Sequence, residues 1–191
     1  MGWDVLRSAE DRSVNFVRGA PDGGRFEARF VARSDAYAIA YISSHSGCRL
    51  ACRFCHLTQT GQTTFGPATH WDLASQLMRV LRHMDEERVR PPRLNVNFMA
   101  RGEPLANPHL TDDFAPFAET ATREAARRGM SVRFNISSVF PADQDVDLAR
   151  SFGAWPVTPY WSLWSVDAGF RRRWLPRAER PERTLDRLLA F

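Results

Sequence analysis

An α/β fold, with a parallel sheet covered by helices, is what this sequence predicts, and three observations predict it. Beyond residue 37, apolar alternation and helical periodicity take turns along the chain. The helical stretches are long enough to carry the chain back across a sheet, which neighbouring parallel strands require. Three segments rich in reactive side chains each follow a predicted strand, and the C-terminal ends of parallel strands are where such folds gather their sites.

Residues 1–24 are polar, close on the turn signal Pro21-Asp22-Gly23-Gly24, and read as a lead-in to a core over 25–191. From Arg25 to Ser44 the residues alternate. Phe26, Ala28 and Phe30 share one face, Tyr37, Ile39 and Tyr41 share one face of a second run, and the two runs make a β-hairpin around Arg33-Ser34-Asp35. Pro67 and the Thr69-x-x-Asp72 cap open a helix with Ala74, Leu77, Leu81 and Met84 at helical spacing, which Pro91-Pro92 stops. Leu94 to Met99 reads as a strand. Thr111-Asp112-Asp113 opens a second helix that ends at Gly129, and Ser131 to Ser137 is the next strand. A short helix over Asp145 to Phe152 stops at Gly153, Val157 to Leu163 is a further strand, and Pro181 to Phe191 is a last helix.

A chain of 191 residues with 43% hydrophobic and 12% aromatic content buries one substantial core, which excludes disorder as its dominant state. The formal charge is +4 with the basic charge on arginine, and the sequence pI is about 9.5. That balance suits a polyanionic partner such as RNA, because guanidinium matches phosphate in a planar fork; a solvated basic surface explains it equally well. The first residues carry charge throughout and no long apolar run follows, so neither a secretory signal nor a membrane association is expected, and the cytoplasm is the expected compartment.

The three cysteines, Cys48, Cys52 and Cys55, fall in one short window with C-x3-C-x2-C spacing. An odd, clustered set is a poor disulfide framework and points to metal binding. Three thiolates in one loop can hold three corners of a cubane 4Fe-4S cluster and leave one iron open for a small cosubstrate. A Cys3His zinc site completed by His45 or His56 is the alternative, with a nucleic-acid-binding module as its function. Phe54 can shield such a centre or simply pack in the core.

These residues carry a resemblance. The cysteine loop after a strand, followed by Gly102-Glu103-Pro104 after the next, resembles the radical S-adenosylmethionine (SAM) superfamily. The ordered blocks ISSHSGCRLACRFC, NVNFMARGEPLANP, NISSVF and PYWSLWSVD resemble, more narrowly, the RlmN/Cfr family of ribosomal RNA adenine methyltransferases. The resemblance implies a partial (β/α) barrel of the radical SAM type, shortened to about four β/α units after the N-terminal hairpin. It implies a 4Fe-4S cluster on Cys48, Cys52 and Cys55, and SAM held by Gly102, Glu103, Ser137 or Ser138, and Ser162. It also implies a reductant such as flavodoxin or ferredoxin. A strand-end cap or turn hydroxyl is the alternative account of each serine.

The departures matter as well. Tyr41 stands where the family carries a cysteine, the methyl-carrier cysteine has no counterpart, and Trp164 replaces a histidine. The family's methyl relay therefore cannot run as known, and a reaction other than ordinary adenine methylation is expected. A partner chain that completes the barrel, or a role as an inactive subunit, follows from the short barrel. Arg171-Arg172-Arg173, with Arg177, Arg180, Arg183 and Trp174, reads as a phosphate-binding stretch or a solvated one. His56, Thr58, Gln59 and Gln62 are candidates for the pocket, while Trp161 and Trp164 read as core packing.

Overall fold

The computed structural model describes residues 2–191. One sheet of seven strands runs in chain order: β1 (Asp4–Arg7), β2 (Val14–Gly19), β3 (Arg25–Ser34), β4 (Tyr37–Tyr41), β5 (Arg93–Asn97), β6 (Ser131–Ser138) and β7 (Val157–Trp161). β1 to β4 form an antiparallel meander, and β4 to β7 pair in parallel. The sheet is thus mixed, parallel where the helices intervene. The stretch expected as a lead-in supplies β1 and β2. Val14 and Phe16 bury on the face that Phe26, Ala28 and Phe30 share, so the polar positions between them hid a strand.

One face of the sheet is apolar. Phe16, Phe30, Ala38, Ala40, Leu94, Val96, Phe134 and Ile136 lie there and are almost fully buried. In β4 the buried positions are therefore the two alanines, whereas Tyr37, Ile39 and Tyr41 line the other face, half-buried. On that second face a polar row crosses the sheet in register, Asn15, Arg29, Tyr41, Asn97, Asn135 and Thr158.

α1 (His56–Gln59) follows the cysteine loop. α2 (His70–Glu86) begins with a complete capping box, Thr69 and Asp72 each bonding the other's main chain, and buries Leu73, Leu77, Val80, Leu81 and Met84. Ala74 sits at the edge of that stripe rather than in it. The helix expected from Thr111 is split: α3 (Pro108–Thr111) is capped by Asn107, and α4 (Ala115–Ala126) starts only after Phe114. Phe114 causes the break, because it turns inward to pack edge-on against Phe134 and Phe152. α5 (Leu148–Phe152) is capped by Asp147. α6 (Ala168–Trp174) was not legible in the sequence, and α7 (Pro181–Leu189) closes the chain with Pro181 in its first turn. No helix among the described residues is long and apolar enough to cross a membrane.

Candidate active site

The loop that follows β4 is shaped by main-chain bonds. Cys48 N donates to Gln62 O at 3.0 Å, Cys55 N donates to Cys52 O at 2.9 Å, and Ala51 turns the chain through a left-handed φ of 55°. A later segment grips it from outside. Arg53 N donates to Trp174 O at 2.9 Å, Arg177 Nη1 donates to Arg49 O at 2.6 Å, and the Arg49 guanidinium pairs with Asp143.

Beside the loop lies a cavity of about 300 Å³. It is lined by Cys48, Cys52 and Cys55 together with Gly102 and Glu103 from beyond β5, Ser137 at the end of β6 and Ser162 just past β7. Seven of the eight residues expected at the site thus meet at the C-terminal ends of neighbouring parallel strands. Ser138 is the exception. It is buried and does not line the cavity, and its Oγ accepts from Phe140 N at 2.7 Å, so it caps the end of the strand. Of the polar residues after the loop, His56 reaches the lining, while Gln59 bonds Arg53 O and Gln62 bonds Arg101.

Glu103 is 4% exposed, a rare position for a carboxylate without a charged partner. Its Oε1 accepts from Leu105 N and its Oε2 from Val139 N, both at 3.1 Å. Burial outweighs these bonds and raises its pKa to about 7. The carboxylate has lone pairs left for a further donor. Arg101 ties this turn to the cysteine loop, donating to Gln62 Oε1 at 2.6 Å and to Glu27 Oε2 at 3.3 Å.

Burial pushes the Cys48 thiol to about 11, with Glu103 and Cys55 adding repulsion. Burial likewise pushes Cys52 to about 12, with Cys48, Cys55 and Glu103 adding to it. Three thiols share this cavity with a buried carboxylate, and a cationic metal centre is the chemistry that such a donor set fits. Among the described residues, no three His, Cys, Asp or Glu side chains converge closely enough to hold a single ion. A cubane does not ask them to, since each thiolate binds a different iron. For the zinc alternative, His45 is buried with its Nδ1 3.1 Å from Ser44 Oγ, while His56 lines the cavity.

Of the two tryptophans expected to pack in the core, one does. Trp161 lies against the core, whereas Trp164 is 63% exposed, lines the cavity mouth and stacks on Phe54 with ring centroids 4.2 Å apart. Phe54 accordingly belongs to the cavity wall. β7 stops at Trp161, and tight turns carry the chain to Trp164, whose φ is 61°. No sequence signal marks that conformation, since a bulky side chain disfavours it. The arginine stretch also divides. Arg171 is buried and serves neither expected role, donating to the main-chain oxygens of Leu163, Ser165 and Glu179, while Arg172 and Arg173 stay exposed.

No family model matches the chain. It is 38% identical over 102 residues to a probable RNA methyltransferase of Myxococcus xanthus, a match covering 53% of this chain and 26% of that protein. It is 30% identical over 105 residues to the dual-specificity RNA methyltransferase RlmN of Solidesulfovibrio magneticus, covering 54% of this chain and 29% of that one. The matched segment spans little more than a quarter of either relative. In three dimensions the chain superposes on a radical SAM methyltransferase from Sphaerobacter thermophilus with a TM-score of 0.65 at 18% identity, over 92% of this chain and 50% of the other. Its sheet, partly parallel and not closed into a barrel, is the fold of a radical SAM methyltransferase, and over about half its length the chain is a relative of RlmN-like RNA methyltransferases.

Proposed function

We propose that this chain is a radical SAM enzyme that modifies an RNA base, with a 4Fe-4S cluster on Cys48, Cys52 and Cys55 and SAM in the adjoining cavity. The cavity that gathers the three thiols and Glu103 carries this reading. Cys48, Cys52 and Cys55 would hold the cluster, which would supply the single electron that reductive cleavage of SAM needs, drawn from a flavodoxin- or ferredoxin-type donor in the cytoplasm.

The residues of the chain have the following parts. The Glu103 carboxylate, held at both oxygens by main-chain N–H groups, accepts the ammonium of the methionine moiety as a charge-assisted bond in a dry site. Gly102 lets that turn approach the loop closely. The Ser137 and Ser162 hydroxyls face the cavity and bond the carboxylate or ribose of the cosubstrate. Phe54 and Val139 keep water from the thiolates. The names of the relatives support RNA as the substrate class. Tyr41 lies on the polar sheet face between Arg29 and Asn97 and offers no thiol, which favours a reaction other than thiol-relayed methylation.

Oxygen-free reconstitution with iron and sulfide, followed by reductant and SAM, is expected to yield deoxyadenosine. Cys52→Ala is expected to lose the cluster spectrum. A fully loaded sample that releases no deoxyadenosine, or a Cys52→Ala protein that keeps stoichiometric iron, overturns the proposal.

A further inference from the structure

We propose that Trp164, stacked on Phe54 at the mouth of the cysteine cavity, is the platform on which one base of a single-stranded RNA substrate stacks. This rests on the RNA-modifying reading above and assigns a residue to it that lies outside the cluster and cosubstrate contacts.

A non-glycine residue at φ 61° is strained, and a large ring left 63% exposed gains little from burial in exchange. Neither feature survives unless its surroundings impose it. Here they do. Arg171, itself 6% exposed, donates from one nitrogen to Leu163 O at 2.8 Å and Ser165 O at 3.1 Å, the carbonyls on either side of Trp164. Ser165 N closes the turn onto Leu163 O at 2.7 Å. Phe54 then fixes the indole from one side with an interplanar tilt of 36°. A buried arginine thus spends its hydrogen bonds on holding an exposed aromatic ring at the entrance to the cavity.

The surroundings say what the ring receives. Glu103 is buried in the lining and the thiols are half-buried, whereas Trp164 is 63% exposed, so a ring that meets Trp164 arrives from solvent. Arg53 is exposed next to Phe54, and its main chain is bonded to Trp174 at the end of α6, the helix that also presents Arg172 and Arg173. An exposed aromatic face with exposed arginines on the neighbouring segments is the combination that binds single-stranded nucleic acid, with stacking for the base and cations for the phosphates. A duplex would keep its base faces covered.

The test measures equilibrium binding of a short labelled single-stranded RNA to the full, cluster-loaded chain, without reductant. Trp164→Gly removes the ring while tolerating the left-handed backbone, and Trp164→Phe keeps an aromatic face. Trp164→Gly is expected to weaken RNA binding roughly 10- to 100-fold, the range for one lost stacked base, and by a larger factor than it weakens SAM binding; Trp164→Phe is expected to stay within about threefold of wild type. Retained SAM binding also certifies that the variant is folded. The inference is overturned if wild type does not bind the RNA, if Trp164→Gly binds it as tightly as wild type, if Trp164→Phe is as weak as Trp164→Gly, or if SAM binding alone is lost, which would put the cosubstrate's own adenine on the ring. Deoxyadenosine release without any effect of Trp164→Gly defeats this inference alone. RNA binding that depends on Trp164 in a chain that cleaves no SAM defeats the enzymatic reading alone.

Discussion

Glu103 Oε2 accepts the main-chain N–H of Val139 at 3.1 Å, which fastens the turn beyond β5 to the end of β6 across the cavity wall. Glu103→Gln keeps one acceptor oxygen and turns an amide toward the second N–H. It is expected to cost about 1–3 kcal/mol of stability in a urea titration, the range for a buried donor left unsatisfied. SAM affinity of the loaded protein, followed calorimetrically, is expected to fall about tenfold or more as the charge that meets the ammonium is removed.

Gly102 has a φ of 91°, and a Cβ there would stand 2.6 Å from Ser44 Oγ and 2.7 Å from both His45 Cβ and His45 N. Gly102→Ala therefore meets backbone strain and overpacking together, and a loss of about 2–5 kcal/mol is expected from denaturant unfolding. Adding Ser44→Ala is expected to recover only part of it, because the two His45 atoms remain.

Acid is expected to weaken the protein through His45. Burial lowers this imidazole from 6.5 to about 4, and Arg49 adds to the shift. Between those values the unfolded chain binds the extra proton and the folded chain refuses it. Stability is therefore fully present above pH 6.5 and declines as pH falls towards 4, by on the order of 3 kcal/mol. Glu103, raised to about 7, gains stability over the same range as pH falls, so His45 is read by difference: urea midpoints measured from pH 7 down to pH 5 are expected to fall for wild type relative to His45→Gln.

Replacing Cys48, Cys52 and Cys55 together with serine is expected to leave the fold in place. The thiols lie outside the apolar core, which is built by the sheet and by α2 and α4. Far-UV circular dichroism and a cooperative thermal transition within several degrees of the wild-type apo protein are the expected readings. Loss of the cooperative transition would mean that packing of the thiols themselves helps to hold the fold.

The sequence carried the parallel half of the fold because its signals are local. The Thr69 cap, the Pro91-Pro92 stop and the alternation of β5 and β6 each lie within one element. The site was legible for the same reason, since cysteine spacing and Gly-Glu-Pro after a strand need no tertiary information. What failed to show depended on partners. β2 reads as polar until β3 supplies the other half of its face, and Phe114 interrupts a helix for the sake of rings as much as 38 residues away in the chain, at Phe152. Arg171 looked like a surface charge, because nothing local reveals that three carbonyls surround it.

The main-chain bonds that run from Arg53 to Trp174 and from Arg177 to Arg49 set an order on biosynthesis. Residues 49 to 55 leave the ribosome early, yet the strap that shapes them is more than a hundred residues behind in translation. Until that strap has emerged, the nascent thiols sit in a loop free to open, accessible to oxidants and to whatever machinery delivers metal.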